Sequence, residues 1–173
     1  MGVCFLYGII IVTVAISISA CSSSVDLPTK ENSSTVTSTK SEGKTFGFNE
    51  TATFKTLKIT AKKLEESNGD SLFKPNEGNI FVGVNFEIEN ISDETQNISS
   101  ILLFDAYSDD VKCDYAIMAN TVFGDGTLDG ELSPGKKLVG WYSVEVPQEW
   151  EKIDLEFKSD FLADDKVKFV FAK

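Results

Sequence analysis

The sequence has 173 residues, with 27 acidic and 16 basic side chains, no histidine, three cysteines and a formal net charge of −11 at pH 7. So acidic a surface repels nucleic acid and anionic lipid head groups, which argues against nucleic acid as a partner. The lack of histidine removes the commonest general base, the Ser-His-Asp and Cys-His catalytic arrangements, and most zinc and copper sites.

The first 20 residues have the pattern of an export signal. Residues 3–18 are almost wholly apolar, and residues 18–21 read Ile-Ser-Ala-Cys, with small side chains just before Cys21. This pattern is typical of bacterial lipoproteins, which are cleaved before the cysteine and lipidated on its thiol. We therefore predict that residues 1–20 are a signal peptide and that Cys21 carries a lipid anchor on the outer side of the cell membrane.

Two alternatives to lipidation remain open. No Lys or Arg precedes the apolar run, although a signal peptide usually begins with positive charge. The run also approaches the roughly 18 residues that are needed to span a bilayer. The segment could therefore be an uncleaved anchor helix or a cleaved signal without lipid.

Residues 21–44 are rich in Ser and Thr and contain almost no large apolar side chain. Such a segment cannot bury enough surface to offset the entropy of ordering, so we predict a flexible tether. A tether of this length has a root-mean-square span of roughly 25–30 Å. The remaining residues, 45–173, are enough for one domain with its own core.

The domain reads as a series of short strands. Apolar and polar side chains alternate with period two, most clearly over residues 80–88, and sustained helical periodicity is hard to find. Residues 60–67 could instead carry a short helical turn. We predict an all-β fold, an immunoglobulin-like antiparallel sandwich of about seven strands. The predicted strands lie within residues 57–62, 80–89, 98–107, 111–118, 137–146, 153–157 and 167–171.

Two blocks of the domain resemble a known family. The first comprises residues 78–84 (GNIFVGV) and 88–92 (IENIS), and the second comprises residues 129–135 (DGELSPG), Gly140 and residues 145–147 (EVP). In this order they resemble the telokin-like, immunoglobulin-like domain that is common in surface lipoproteins of Gram-positive bacteria, over roughly residues 45–173. The resemblance implies a sandwich fold and an extracytoplasmic location. It implies no catalytic residues, because the family is largely of unknown function.

One loop has the first ligands of a calcium site. Asp125 and Asp129 place carboxylates at alternating positions before a glycine, and Glu131 follows. The twelfth position, where a calcium loop needs a bidentate Glu, is occupied by Lys136. A glycine-rich connection whose Asp side chains cap a turn is therefore favoured over a metal site.

Acidic clusters also occur at Asp109, Asp110 and Asp114, and at Asp164 and Asp165. A pair of carboxylates in a cleft could act as the acid and base of a glycosidase, with the carboxyl groups about 5–9.5 Å apart. In so acidic a chain, solvated turns are the favoured interpretation.

Three apolar residues lie on the strand faces opposite their best core sets, namely Phe81, Val139 and Trp141. If those faces are exposed, the three residues form a candidate interaction patch. Burial in the core is favoured for the large aromatic side chains. Cys113 is the cysteine left over after signal cleavage and lipidation, and we expect a small buried apolar residue rather than a reactive thiol.

The leading functional hypothesis is a non-enzymatic, lipid-anchored protein whose domain binds a protein, peptide or cell-envelope partner without a cofactor. Loops at one end of the sandwich or an exposed strand edge would supply the binding surface. The alternative is a calcium- or small-ligand-binding accessory lipoprotein that uses the loop from Asp125 to Glu131.

The anchor has a direct test in cells that are fed labelled palmitate. Cys21→Ala is expected to abolish lipid labelling and to release the protein into the medium or leave it unprocessed, because the acceptor thiol is gone. Cys4→Ala is the matched control and should retain the label. Labelling that persists in Cys21→Ala would show that the lipoprotein interpretation is wrong.

Overall fold

The structure is a computed structural model that describes residues 29–31, 44–160, 162 and 165–173. The predicted signal peptide, Cys21 and most of the predicted tether lie outside these residues, so the proposals about them stay predictions. Within the described ranges, no helix is long and apolar enough to cross a membrane.

Short strands dominate the described part of the chain. Three single-turn helical segments accompany them: α1 (Ser100–Leu103), a 3₁₀ turn (Ile117–Ala119) and α2 (Asn120–Phe123). The twelve strands are β1 (Thr29–Glu31), β2 (Thr45–Phe46), β3 (Thr51–Thr53), β4 (Leu57–Ser67), β5 (Asn79–Asn90), β6 (Gln96–Ile98), β7 (Phe104–Ser108), β8 (Val111–Cys113), β9 (Gly130–Leu132), β10 (Lys137–Pro147), β11 (Lys152–Lys158) and β12 (Lys166–Ala172).

These strands form two five-stranded sheets that pack as a sandwich. Sheet A has the order β1-β3-β4-β5-β10, and sheet B has the order β2-β12-β11-β7-β8. Strands β6 and β9 form a separate pair, and the pairing is antiparallel throughout except between β2 and β12. The predicted antiparallel β-sandwich is confirmed.

The space between the sheets is filled largely by aromatic rings. The ring centroid of Phe86 lies 5.2 Å from those of Phe104 and Phe169, and Phe157 lies 4.9 Å from Phe104. Each such ring, once fully buried, contributes roughly 1.5–3 kcal/mol to folding. The alternation predicted over residues 80–88 is confirmed for the core face of β5, since the even-numbered residues of this stretch point into the core.

Three segments differ from the sequence-based expectation. Residues 60–67 continue β4 and contain no helical turn, with a bulge between Ala61 and Lys63 that keeps the strand paired with β5. The predicted strand at 98–107 is interrupted by α1, and the predicted strand at 111–118 ends at Cys113. In addition, Thr29–Glu31 lies within the predicted tether but pairs with β3, whose edge offers backbone groups for hydrogen bonding.

A buried asparagine ties three connections of the sandwich together. Asn90 is fully buried, and its Nδ2 donates hydrogen bonds to the backbone oxygens of Glu94 (2.7 Å) and Leu132 (2.8 Å). Its Oδ1 accepts from the backbone nitrogen (2.9 Å) and Oγ (2.7 Å) of Ser92. The backbone of Asn90 also bonds to that of Gly135 and Lys136. The buried amide is therefore satisfied on both its oxygen and its nitrogen.

Replacing this amide should destabilise the whole domain. Asn90→Ala leaves the carbonyl oxygens of Glu94 and Leu132 without their donor, and an unpaired buried polar group costs about 1–3 kcal/mol. We expect the free energy of unfolding in urea to fall by about 2–4 kcal/mol. Asn97→Ala, at an exposed position, is the control and should stay within about 0.5 kcal/mol of wild type. Equal stability of the two variants would contradict this role for Asn90.

Candidate functional site

The chain passes from one sheet to the other between Cys113 and Tyr115. Cys113 belongs to β8 in sheet B, whereas Tyr115 forms an isolated bridge with Val144 of β10 in sheet A. The ring of Tyr115 stacks on that of Tyr142 at 4.5 Å with an interplanar angle of 5°. This stack fixes the start of the segment at residues 114–129, which we call the crossover segment.

The crossover segment covers part of the outer face of sheet A. The ring of Phe123 stacks on Trp141 at 5.3 Å, and a Cβ atom on Gly83 would lie only 2.7 Å from the Phe123 ring. Asn120 accepts a hydrogen bond from Ser143 Oγ. The absence of a side chain at Gly83 therefore lets an aromatic ring lie flat on the sheet.

The predicted interaction patch of Phe81, Val139 and Trp141 lies on this partly covered face of sheet A. Phe81 and Trp141 are only 5% and 3% exposed, whereas Val139 is 50% exposed. The three residues therefore do not form one exposed surface. Phe81 and Trp141 are buried outside the main core. Trp141 lies under the Phe123 ring of the crossover segment and under Lys63 of β4, whose Nζ is 5.0 Å from the Trp141 ring centroid. The sequence offered one signal for this arrangement, namely a glycine in the middle of a strand.

Beside the covered area lies an apolar groove with a volume of about 360 Å³. One side is the loop before β5 and the other is the beginning of the crossover segment. Three of its apolar side chains are strongly exposed: Leu72 at 80%, Ile117 at 50% and Met118 at 54%. The floor includes Phe81. We refer to this feature as the 72/118 groove.

Carboxylates lie next to residues that line the 72/118 groove. Asp70 Oδ1 accepts hydrogen bonds from the backbone nitrogens of Leu72 (2.7 Å) and Phe73 (2.8 Å), which lower the pKa of Asp70. Asp114 directly precedes Tyr115, and Glu145 lies directly across from Phe81 in the sheet register. The groove therefore has an apolar interior whose lining includes one charged residue, Lys74. The carboxylates lie at its margins: Asp70 is beside Leu72, and Asp114 and Glu145 line the adjoining larger cleft.

Glu145 is held as a carboxylate by neutral donors. Its Oε1 accepts hydrogen bonds from the backbone nitrogen (2.8 Å) and Nδ2 (2.7 Å) of Asn76 and from Nδ2 of Asn79 (2.8 Å). Burial raises the pKa of Glu145, but the hydrogen bonds from Asn79 and Asn76 outweigh burial and lower it overall. A general acid needs the opposite shift, so Glu145 is tuned to stay charged.

A larger cleft of about 630 Å³ lies on the other side of Tyr115. It contains Cys113, which is partly buried, and burial raises the pKa of its thiol. A raised pKa disfavours the reactive thiolate, which supports the packing role predicted for this cysteine. Asp109, Asp114 and Glu145 line the same cleft. The carboxylate of Asp109 accepts hydrogen bonds from the backbone nitrogens of Glu151 and Lys152. These contacts join the β7–β8 turn to the start of β11.

The other predicted acidic positions have structural contacts as well. Asp110 Oδ1 lies 2.7 Å from Lys152 Nζ, and this hydrogen bond lowers the pKa of Asp110. Asp164 lies outside the described residues. Residues 109–110 form an exposed turn, and their carboxylates also join it to the start of β11.

The predicted calcium loop is not assembled as a metal site. Asp129 Oδ1 accepts a hydrogen bond from the backbone nitrogen of Ser100 at 2.7 Å, so it caps the start of α1. Asp125 and Glu131 are exposed. Among the residues that the structure describes, no group of three or more His, Cys, Asp or Glu side chains is placed to hold a metal ion. The contact of Asp129 with Ser100 favours the capping interpretation of this loop, and the calcium alternative stays a prediction.

The fold defines the domain as an antiparallel β-sandwich. Residues 46–168 match a domain of unknown function, DUF4352, and the chain belongs to this family. No curated protein matches the chain.

Several solved structures have a similar fold. A candidate lipoprotein, ycdA of Bacillus subtilis subsp. subtilis str. 168, has a TM-score of 0.55 and 14% identity over 68% of this chain and 36% of its own length. An uncharacterized β-sandwich protein of Clostridium difficile 630 has a TM-score of 0.52 and 14% identity over 80% of this chain and 99% of its own. The yjhA protein of Bacillus subtilis has a TM-score of 0.54 and 18% identity over 71% of this chain and 97% of its own. At these identities the likeness supports the fold alone, and this chain spans about a third of ycdA.

The cover on sheet A can be tested at Gly83. Gly83→Ala places a Cβ atom against the Phe123 ring, so the ring must move and Trp141 should become accessible to solvent. We expect a red shift of tryptophan emission, stronger iodide quenching and a loss of about 1–3 kcal/mol in unfolding free energy.

Gly47→Ala is the matched control for this experiment, because a Cβ atom there makes only an ordinary contact of 3.8 Å with Glu50. Phe123→Ala should reproduce the change in quenching by removing the cover itself. Unchanged emission in Gly83→Ala and Phe123→Ala would show that the crossover segment does not shield Trp141.

Proposed function

We propose that this chain is a non-enzymatic, lipid-anchored extracytoplasmic protein whose domain, a telokin-like member of the immunoglobulin-like sandwiches, binds a protein, peptide or cell-envelope partner. The Ile-Ser-Ala-Cys pattern ending at Cys21 supports the anchor, and the likeness to a candidate lipoprotein is consistent with it. The lowered pKa of Glu145 and the structural contacts of Asp109 support a role without catalysis.

The binding role depends on the contrast between the 72/118 groove and the charged faces of the sandwich. On sheet B, Lys166 pairs with Glu156 at 2.6 Å and Lys112 with Asp105 at 2.7 Å. On sheet A, Lys137 lies 3.0 Å from Glu87 and 3.3 Å from Glu89. Charged groups that are already paired with each other make hydrated faces with little to gain from a partner.

The groove differs in that its apolar side chains gain stability on burial. Covering Leu72, Ile117 and Met118 would remove their exposed surface from water, at roughly 25 cal/mol for each Å² of apolar area. Exposed apolar residues that are grouped in a concavity are typical of interaction sites. The single observation that carries the proposal is the grouping of these three exposed apolar side chains around one concavity.

Cross-linking on intact cells tests the binding role, because Lys74 places an amine in the groove. A lysine-reactive cross-linker should join Lys74 of the wild-type protein to a partner that mass spectrometry can identify. Met118→Gln removes apolar contact area, so we expect the yield of this cross-link to fall about tenfold.

Val139→Ser is the control, because Val139 is equally exposed on the same sheet face but does not line the groove. It should retain the wild-type yield. The proposal would be contradicted by the absence of any cross-link from Lys74, or by equal yields from the wild type and Met118→Gln.

A further inference from the structure

We propose that the occupant of the 72/118 groove is a protein segment in which apolar side chains are flanked by lysine or arginine. This inference rests on the proposed binding function and specifies the partner's chemistry at the same site.

The size of the groove favours a few side chains over a whole small molecule. Its volume of about 360 Å³ is near the lower end of the range for ligand pockets, roughly 300–1,000 Å³. It is lined on one side by Leu72 and Phe73 and on the other by Ile117 and Met118. The flexible thioether of Met118 can adapt to apolar side chains of different shape. The groove therefore suits one or two apolar anchors of a longer segment.

The charged groups near the groove determine which residues of the partner are favoured next to its apolar anchors. Asp70, Asp114 and Glu145 form no ion pair with a lysine among the described residues, unlike the acidic side chains of the outer sheet faces. Hydrogen bonds lower the pKa of Asp70 and of Glu145, so both stay ionised at neutral pH. Of the residues that line the groove, Lys74 carries the positive charge. A basic segment that lies in the groove and extends past its margins would meet Asp70 beside Leu72 at one end, and Asp114 and Glu145 where it enters the adjoining cleft.

The same charges disfavour the other polymers that an envelope protein meets. The net charge of −11 repels anionic lipid head groups and any polyanionic chain, and it steers cationic partners toward the surface. Apolar attraction and electrostatic attraction thus coincide only for a segment that is both apolar and basic. A membrane surface offers apolar acyl chains, but its anionic head groups are repelled by the acidic chain.

Selection from a random peptide library tests this inference. The full chain, held in nanodiscs of zwitterionic lipid, is panned against displayed random 12-residue peptides, and enriched peptides are measured by fluorescence anisotropy. We expect them to carry a large apolar residue with Lys or Arg on both sides. Their affinity should fall about tenfold for Met118→Gln and about twofold to fivefold for Asp70→Asn. Added salt should weaken binding further.

Asp70→Asn keeps the oxygen that accepts the hydrogen bonds from Leu72 and Phe73, so it removes charge without removing the turn contact. Asp93→Asn, at an exposed turn away from the groove, is the control for loss of one negative charge and should bind like wild type. Circular dichroism of each variant verifies that the sandwich is folded.

The possible failures are distinguishable. Enriched peptides without basic residues that still depend on Met118 would overturn the partner chemistry and leave the binding function standing. Peptide affinity that is unchanged in Met118→Gln would show that the groove is not the binding site, which would contradict both this inference and the proposed function. No enrichment, or Met118-dependent association with phosphatidylglycerol vesicles in its place, would also overturn the inference.

Discussion

The buried amide of Asn90 is the constraint on which the geometry of this domain depends. It stands at the end of the longest strand, β5, and four side-chain hydrogen bonds join it to Ser92, Glu94 and Leu132. Its backbone bonds to Gly135 and Lys136, just before β10 begins. In a low-dielectric interior each of these groups must be paired, so the turn after β5 and the entry to β10 adopt one arrangement together. The two sequence blocks that resemble a known family, at residues 78–92 and 129–147, meet at this side chain.

The hydrogen bonds of Asn90 set the register between β5 and β10, and this register determines which side chains lie on each face of sheet A. Eleven residue pairs between β5 and β10 place Tyr142 beside Val84 on the core side and Ser143 beside Gly83 on the outer side. Gly83 leaves room for Phe123, and Gly140 leaves room for the backbone of Thr127, because a Cβ atom on Gly140 would lie 2.6 Å from it. Two glycines on adjacent strands therefore admit the crossover segment, first on one face and then on the other. The groove beside that segment is a consequence of how it must pass around β10.

Period-two patterns were enough to predict the strands whose two faces differ, such as β5, β11 and β12. They failed where the environment comes from distant residues. Phe81 and Trp141 lie on the face that alternation predicts to be exposed, but both are buried. The ring that stacks on Trp141 is Phe123, which lies in a single-turn helix that is too short to have a detectable period. Likewise Ile117 and Met118 belonged to a predicted strand, because nothing in an apolar run reveals that the chain changes sheets at Asp114. Asp129 resembled a calcium ligand because one residue type serves equally well as a helix cap.

The distribution of charge connects the predicted anchor to the groove. A domain held near a membrane by a lipid encounters that surface continually, and a net charge of −11 keeps it from lying down on anionic head groups. On the sheet faces, acidic side chains form ion pairs with lysines, for example Asp154 and Glu156 with Lys168, which leaves those faces hydrated. Exposed apolar side chains near Met118 would be a liability on such a surface unless something covers them, since a few hundred Å² of contiguous apolar area is enough to promote association. The carboxylates at the margins of the groove limit which partner can cover these side chains, because they favour one that brings positive charge along with its apolar contacts.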